Sequence, residues 1–150
     1  MKSSGRARSC AATRATPVTD GVIKSAKQNF KLEVITDQVE TPWGLAFLPD
    51  GRLLITERPG RLRIVENGKL LPPVEGIPTV WTRQDGGLFD VEVHPKYAQN
   101  GWIYLAYAEP RETNRSMTTI IRGRIKDNKW VDQETIWRAS DELFTQINFH

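Results

Sequence analysis

Two histidines, His94 and His150, are the side chains best suited to accept a proton near neutral pH, since an unperturbed imidazole titrates near ~6.5. They lie far apart in sequence, and two lone histidines do not make a metal site. His94 stands in Val93-His94-Pro95, where a strand gives way to a turn. Its favoured role is structural, with a ring nitrogen tying down a loop carbonyl. Asp90 and Glu92 alternate with Val91 and Val93. Period 2 puts the two carboxylates on one strand face. Paired carboxylates can serve acid–base chemistry, but a solvated strand face is the commoner reason for the pattern. Asp50 and Gly51 read as turn residues, because the acidic spacing of an EF-hand is absent. There is no G-x-G-x-x-G after a strand, no Walker A motif and no G-x-S-x-G. Nicotinamide and ATP chemistry therefore have no support.

The elements that must position these residues are strands. Lys31–Ile35, Trp43–Leu48, Arg52–Glu57, Arg61–Glu66, Leu88–Val93, Trp102–Tyr107 and Thr118–Ile125 are short β-rich runs. Between them lie Pro49-Asp50-Gly51, Pro59-Gly60, Asn67-Gly68 and Asn100-Gly101. Each offers glycine where a tight turn wants positive φ, and Asn-Gly is the strongest short hairpin signal. No segment sustains a 3.6-residue period; only Asp141–Phe144 suggests a helical turn. Trp43–Leu48 and Trp102–Tyr107, as nearly continuous apolar runs, are expected to be inner, buried strands.

A weak internal repeat organises the strands. Leu45-Ala46-Phe47-Leu48-Pro49 leads through Gly51 to Leu53-Leu54-Ile55, and Val91-Glu92-Val93-His94-Pro95 leads through Gly101 to Ile103-Tyr104-Leu105. Pro49 and Pro95 are 46 positions apart (95 − 49). Strand repeats of ~40–50 residues suggest propeller blades, although a β-sandwich also spaces short strands regularly. Propellers close with typically ~4–8 blades. The body of this chain has room for fewer than about three at ~45 residues each. The chain stops at Ile147-Asn148-Phe149-His150 without a turn, cap or polar tail. Residues 29–150 are therefore expected to be the N-terminal part of a longer propeller.

Charge separates a leader from this body. Residues 1–28 hold six basic side chains and one acid, net +5, whereas residues 29–150 hold 15 basic and 17 acidic, net −2. The body has no basic excess, which argues against nucleic acid as a partner. Residues 1–28 are poor in large apolar side chains and are expected to be disordered. They contain no apolar core of a recognisable signal peptide. No run approaches the ~18–20 apolar residues of a membrane span. The single cysteine, Cys10, excludes an internal disulfide framework and a Cys-based zinc site.

Three segments carry a family resemblance. They are Thr41–Arg63 (TPWGLAFLPDGRLLITERPGRLR), Asp85–Pro95 (DGGLFDVEVHP) continuing through Asn100-Gly101-Trp102-Ile103-Tyr104-Leu105, and the closing Asn148-Phe149-His150. Together they resemble the soluble glucose/sorbosone dehydrogenase family, also called aldose sugar dehydrogenases. The resemblance implies an all-β, six-bladed β-propeller, of which this chain supplies roughly two to three blades. It implies an oxidoreductase using pyrroloquinoline quinone (PQQ) and calcium, which oxidises an aldose at C1 to the lactone with hydride transfer to PQQ. Partners would be a sugar substrate and an external electron acceptor, and the location periplasmic or secreted.

By the same resemblance His150 is the catalytic base. Phe149 stands before it where the glucose dehydrogenase branch has an acid. Asp85 occupies the place where the family often carries Gln on a loop near the substrate, with Gln84 beside it. Either can hydrogen-bond a sugar hydroxyl; the alternative is a solvated loop needing Gly86 and Gly87 for its turn. PQQ ligands are expected mostly beyond residue 150, no residue here is assigned to a metal, and the isolated chain is expected to be inactive. The five tryptophans are expected to pack in the core or between blades, with each indole N–H partnered. The competing function is a non-catalytic extracellular propeller used only for binding.

Overall fold

The computed structural model describes residues 21–144. Most of the leader, Cys10 and Asn148-Phe149-His150 lie outside the described residues. Residues 21–34 belong to a unit of their own. Within it Ile23 and Phe30 form an isolated antiparallel bridge, and Ser25 and Gln28 close the turn between them. The expected strand at Lys31–Ile35 does not form. Alternation supplies two faces, but a strand also needs a neighbour's N–H and C=O groups.

From Ile35 on, the chain builds two four-stranded antiparallel sheets, each in sequential strand order. The first contains β1 (Pro42–Phe47), β2 (Leu53–Glu57), β3 (Arg61–Glu66) and β4 (Lys69–Leu70). The second contains β5 (Leu88–Val93), β6 (Ile103–Arg111), β7 (Arg115–Lys126) and β8 (Lys129–Arg138). Sequential four-stranded meanders stacked face to face are the blade architecture. Among the described residues there are two such blades, the lower figure of those expected. Leu54, Leu62 and Ile64 of the first sheet cluster with Leu88, Val91, Ile103 and Leu105 of the second. Burying each such side chain stabilises by about 1.5–3 kcal/mol.

The 46-residue repeat is real in three dimensions. On β1, Pro42 faces Glu57 and Leu45 faces Ile55, three steps against two. On β5, Leu88 faces Tyr107 and Val91 faces Leu105, again three against two. Each first strand thus carries a bulge, at Trp43-Gly44 and at Phe89-Asp90, offset by the same 46 positions (89 − 43). The register then parts. Residues 48–52 join β1 to β2, and residues 94–102 join β5 to β6. The difference of four equals the length of α1 (Tyr97–Asn100), which is inserted there. Asn100-Gly101, read from sequence as a hairpin turn, instead ends that helical turn: Gly101 takes φ 66 and donates its N–H to Tyr97 O. Asp141–Leu143 does form one 3₁₀ turn.

Burial corrects the reading of the apolar runs. β6 is flanked by β5 and β7, and Ile103, Leu105 and Ala108 are fully buried. β1 is an edge strand whose Leu45 and Phe47 are 63% and 69% exposed. An apolar run reports affinity for burial, not which neighbour provides it.

Two buried polar groups brace the first sheet. Thr56 Oγ1 accepts the Gly44 N–H at 2.8 Å and donates to Phe89 O, linking the two bulges across the sheets. Gly44 has no room for a side chain, since a Cβ there would lie 2.6 Å from Asp90 Oδ1. Glu57 is fully buried; its carboxylate accepts the Glu40 N–H and Arg61 Nε (2.6 Å), with Arg63 Nη1 at 3.4 Å. Burial alone would raise its pKa, but the hydrogen bonds from Arg61, Glu40 and Arg63 outweigh it and hold it below the usual range.

Two outcomes follow. Thr56→Val keeps the shape but strands the Gly44 N–H, and should cost about 1–3 kcal/mol, read as a lower melting temperature. A lowered carboxylate pKa contributes stability above the unfolded value near ~4.3, lost as pH falls through the folded value. Melting temperature should therefore fall as pH drops below about 4. Glu57→Gln should flatten that part of the profile while lowering stability at pH 7. Scanning calorimetry from pH 7 to 3 on both proteins checks it.

Candidate functional site

Antiparallel topology sorts every connection to one of two ends. The β2–β3 turn at Arg58-Pro59-Gly60, the segment Trp81–Gly87 entering β5, and the β6–β7 turn at Glu112–Asn114 share one end. His94 and α1 are at the other, beyond the far end of β5.

The segment bearing Gln84 and Asp85 is built on Trp81, which is buried. Its backbone N–H donates to Ala108 O at 2.9 Å and its Nε1–H to Asn114 Oδ1 at 3.1 Å, tying it to β6 and to the β6–β7 turn. The chain then turns back over the indole. A Cβ on Gly86 would sit 2.4 Å from Trp81 Cε3, and one on Gly87 2.5 Å from Arg58 O, so both positions require glycine for close approach. Leu88 N–H donates to Arg58 O at 3.0 Å as the chain enters β5.

Arg58 reaches across from the first sheet to hold the loop. Its Nε donates to Gly86 O at 2.9 Å, and its Nη2 to Thr82 O at 3.1 Å and to Gln84 O. Gln84 takes a left-handed conformation, φ 50. Gln84 and Asp85 are both exposed, and among the described residues neither side chain has a hydrogen-bond partner. A locked backbone thus presents an amide and a carboxylate outward, where each can accept bonds from hydroxyl groups.

Of the residues expected to act, the structure brings Gln84 and Asp85 together on this loop. His150 lies outside the described residues. Phe144, six positions earlier (150 − 144), is buried at this same end, with the Arg111 guanidinium 4.8 Å from its ring centroid and Arg111 in turn 3.4 Å from Asp141. Burial, reinforced by Glu109, pushes the Tyr107 hydroxyl up to about 12, so it stays protonated and is no base at neutral pH. Among the described residues no three His, Cys, Asp or Glu side chains gather to hold a metal ion.

His94 is structural, as expected, but by a different contact. Its Nδ1 accepts the Lys96 N–H at 2.9 Å and lies 3.0 Å from Asn100 Nδ2. A backbone N–H can only donate, so Nδ1 carries the lone pair and the proton sits on Nε2. The ring anchors backbone N–H rather than a carbonyl, and stacks 6.1 Å from Tyr104. Asp90 is folded into the β5 bulge, where Oδ1 accepts the Val91 N–H. Trp81 and Trp130 pack in the core with partnered indoles; Trp43 and Trp137 stay about half exposed. Sequence reasoning missed Arg58, which read only as a residue before a Pro-Gly turn.

Residues 39–150 match the family model described as glucose/sorbosone dehydrogenase. The chain belongs to that family. It is 39% identical over 129 residues to the aldose sugar dehydrogenase YliI of Escherichia coli K12, covering 83% of this chain and 35% of that one. It is 31% identical over 125 residues to quinoprotein glucose dehydrogenase B of Acinetobacter calcoaceticus, covering 77% and 26%. Among solved structures it resembles the soluble E. coli aldose sugar dehydrogenase in its apo form, with TM-score 0.66 and 41% identity over 70% of this chain and 31% of that one. A PQQ-bound aldose sugar dehydrogenase from Streptomyces coelicolor, at 23% identity and TM-score 0.63 over 72% and 33%, shares the fold. The chain spans about a third of the length of the curated relatives it matches. Its two sheets are blades of the β-propeller of this family of sugar dehydrogenases. Among the described residues no helix is long and apolar enough to cross a membrane.

The left-handed backbone at Gln84 separates side-chain function from loop folding. Gln84→Gly suits φ 50 and should change stability by no more than about 1 kcal/mol. A weakened affinity for sugar in that variant, at unchanged melting temperature, would be owed to the lost amide; unchanged affinity would remove Gln84 from the site.

Proposed function

We propose that residues 29–150 are the N-terminal part of a PQQ-dependent sugar dehydrogenase, which oxidises an aldose at C1 to the lactone with PQQ as hydride acceptor. The observation that carries this reading is the Gln84–Asp85 loop. Its backbone is fixed by Arg58, Trp81 and two glycines, while its polar side chains face outward at the sheet end that also holds Phe144. A sugar is recognised through its hydroxyl groups, and preset acceptors on a rigid support avoid the entropy of ordering a loose loop. Asp85 would accept bonds from one or two hydroxyls, with Gln84 beside it. His150 would take the proton of the anomeric hydroxyl as C1 gives up its hydride.

No residue of this chain is assigned to calcium or PQQ; we place their ligands mostly beyond residue 150. No three His, Cys, Asp or Glu side chains gather among the described residues to hold a metal ion, and two arginines at this end are already engaged, Arg58 with loop carbonyls and Arg111 with Glu109 and Asp141. Those ligands are assigned to the remainder of the propeller. A periplasmic or secreted location and an external electron acceptor complete the proposal.

The test is kinetic, on the complete protein with PQQ and calcium supplied. His150→Gln keeps shape but cannot take a proton, and should lower kcat by about 10²–10⁴-fold with PQQ titration unchanged. Turnover within about threefold of wild type would remove His150 as the base. Asp85→Ala should raise KM for the aldose more than it lowers kcat, as expected of a residue that binds ground and transition states alike.

A further inference from the structure

We propose that Arg58 is the positioning residue of the sugar-binding loop: its guanidinium sets the direction in which Gln84 and Asp85 meet the substrate. The proposal rests on the function just assigned to those two residues.

Arg58 belongs to the first sheet, yet its guanidinium donates to three carbonyls of the loop that enters the second, at Thr82, Gln84 and Gly86. Among the described residues no carboxylate lies within ion-pair distance of it. Its neighbours behave otherwise: Arg61 and Arg63 pair with Glu57, and Arg111 with Glu109 and Asp141. Arg58 is thus a cation devoted to backbone oxygens. Between the Trp81 anchor and the Gly86-Gly87 contact, the loop's own backbone contributes one turn bond, Gly86 N–H to Arg83 O at 2.9 Å. The other carbonyl contacts that hold residues 82–86 in place come from Arg58. They fix the Gln84–Asp85 peptide and the Gly86–Gly87 peptide, while the Asp85–Gly86 peptide between them is held by the turn bond to Arg83 O. The planar fork fits this task, since its N–H groups diverge in one plane at fixed angles. A lysine ammonium is a point charge on a flexible stem and cannot hold three carbonyls in that pattern.

The consequence is specific. Loosening the loop leaves the reacting groups in place and degrades the aim of the acceptors. The loss should therefore fall on sugar affinity, not on the chemical step.

The experiment compares wild type, Arg58→Met, Arg58→Lys and Arg83→Met in the complete protein with PQQ and calcium. Arg83 is exposed in the same loop, so its variant controls for removing a positive charge there. Two readouts are taken: amide hydrogen exchange over residues 82–88, and KM and kcat with glucose and a panel of aldoses. Arg58→Met and Arg58→Lys should both speed exchange across the loop and raise KM about tenfold or more, with kcat within about threefold. Arg83→Met should do neither. Faster exchange with unchanged KM overturns the positioning role. So does a wild-type KM in Arg58→Lys, which would make charge sufficient. Should Arg58→Met fail to fold, Arg58→Lys, which keeps stem and charge, decides alone. A wild-type protein that oxidises no aldose defeats the dehydrogenase reading itself, and with it the substrate claim, a failure visible before any variant is compared.

Discussion

The two sheets meet backbone to backbone at one seam, and the rest of the structure depends on that contact. At its middle, Thr56 Oγ1 takes the Gly44 N–H from the bulge of β1 and donates to Phe89 O in the bulge of β5. At its loop end, Arg58 O takes the Leu88 N–H while the Arg58 side chain holds the loop above. Approach this close is possible only because Gly44 and Gly87 lack side chains. Apolar packing alone would let two twisted sheets slide over one another, because the hydrophobic effect has no direction. Buried hydrogen bonds have direction, and leaving them unmade is costly. They fix where the second sheet sits along the first.

That fixed placement is what the candidate site uses. Asp85 and Gln84 are on a connection, and connections are ordinarily the mobile part of a β protein. Here the connection is clamped from the preceding sheet and rests on a buried indole whose N–H is itself partnered. The same end holds the buried Glu57 carboxylate with Arg61 and Arg63, which stiffens the β2–β3 turn that carries Arg58. Charge at this end therefore does structural work below the surface, and the loop above it presents the Gln84 amide and the Asp85 carboxylate to solvent.

The repeat shows how one blade becomes the next. The bulge recurs at the same offset in both first strands, because the nesting of sheets demands a local kink there. The connection at the opposite end tolerates four extra residues, which coil into α1 under the anchor of His94. Constraint at one end and tolerance at the other match the division between the end that carries the candidate site and the end that does not.

Much of this was legible in the sequence. β-rich runs, glycine turns and the 46-residue echo gave an all-β chain and its blades, because strand periodicity and turn chemistry are local properties. The motif around Gly86-Gly87 marked the loop that Arg58 and Trp81 hold in place. β8 was not legible: its Asp, Gln, Glu and Thr residues face solvent at a sheet edge, so no alternation marks it. The exposed face of β1 was hidden for the opposite reason, since an apolar run does not say what lies against it. Nor could sequence distinguish the roles of Arg58 and Arg61, three positions apart in the same turn region. One donates to carbonyls of residues 82–86 and the other to Glu57, and only the stacking of the sheets decides which acceptor each meets. Composition fixes which side chains can donate and accept, and the fold alone decides the distances between them.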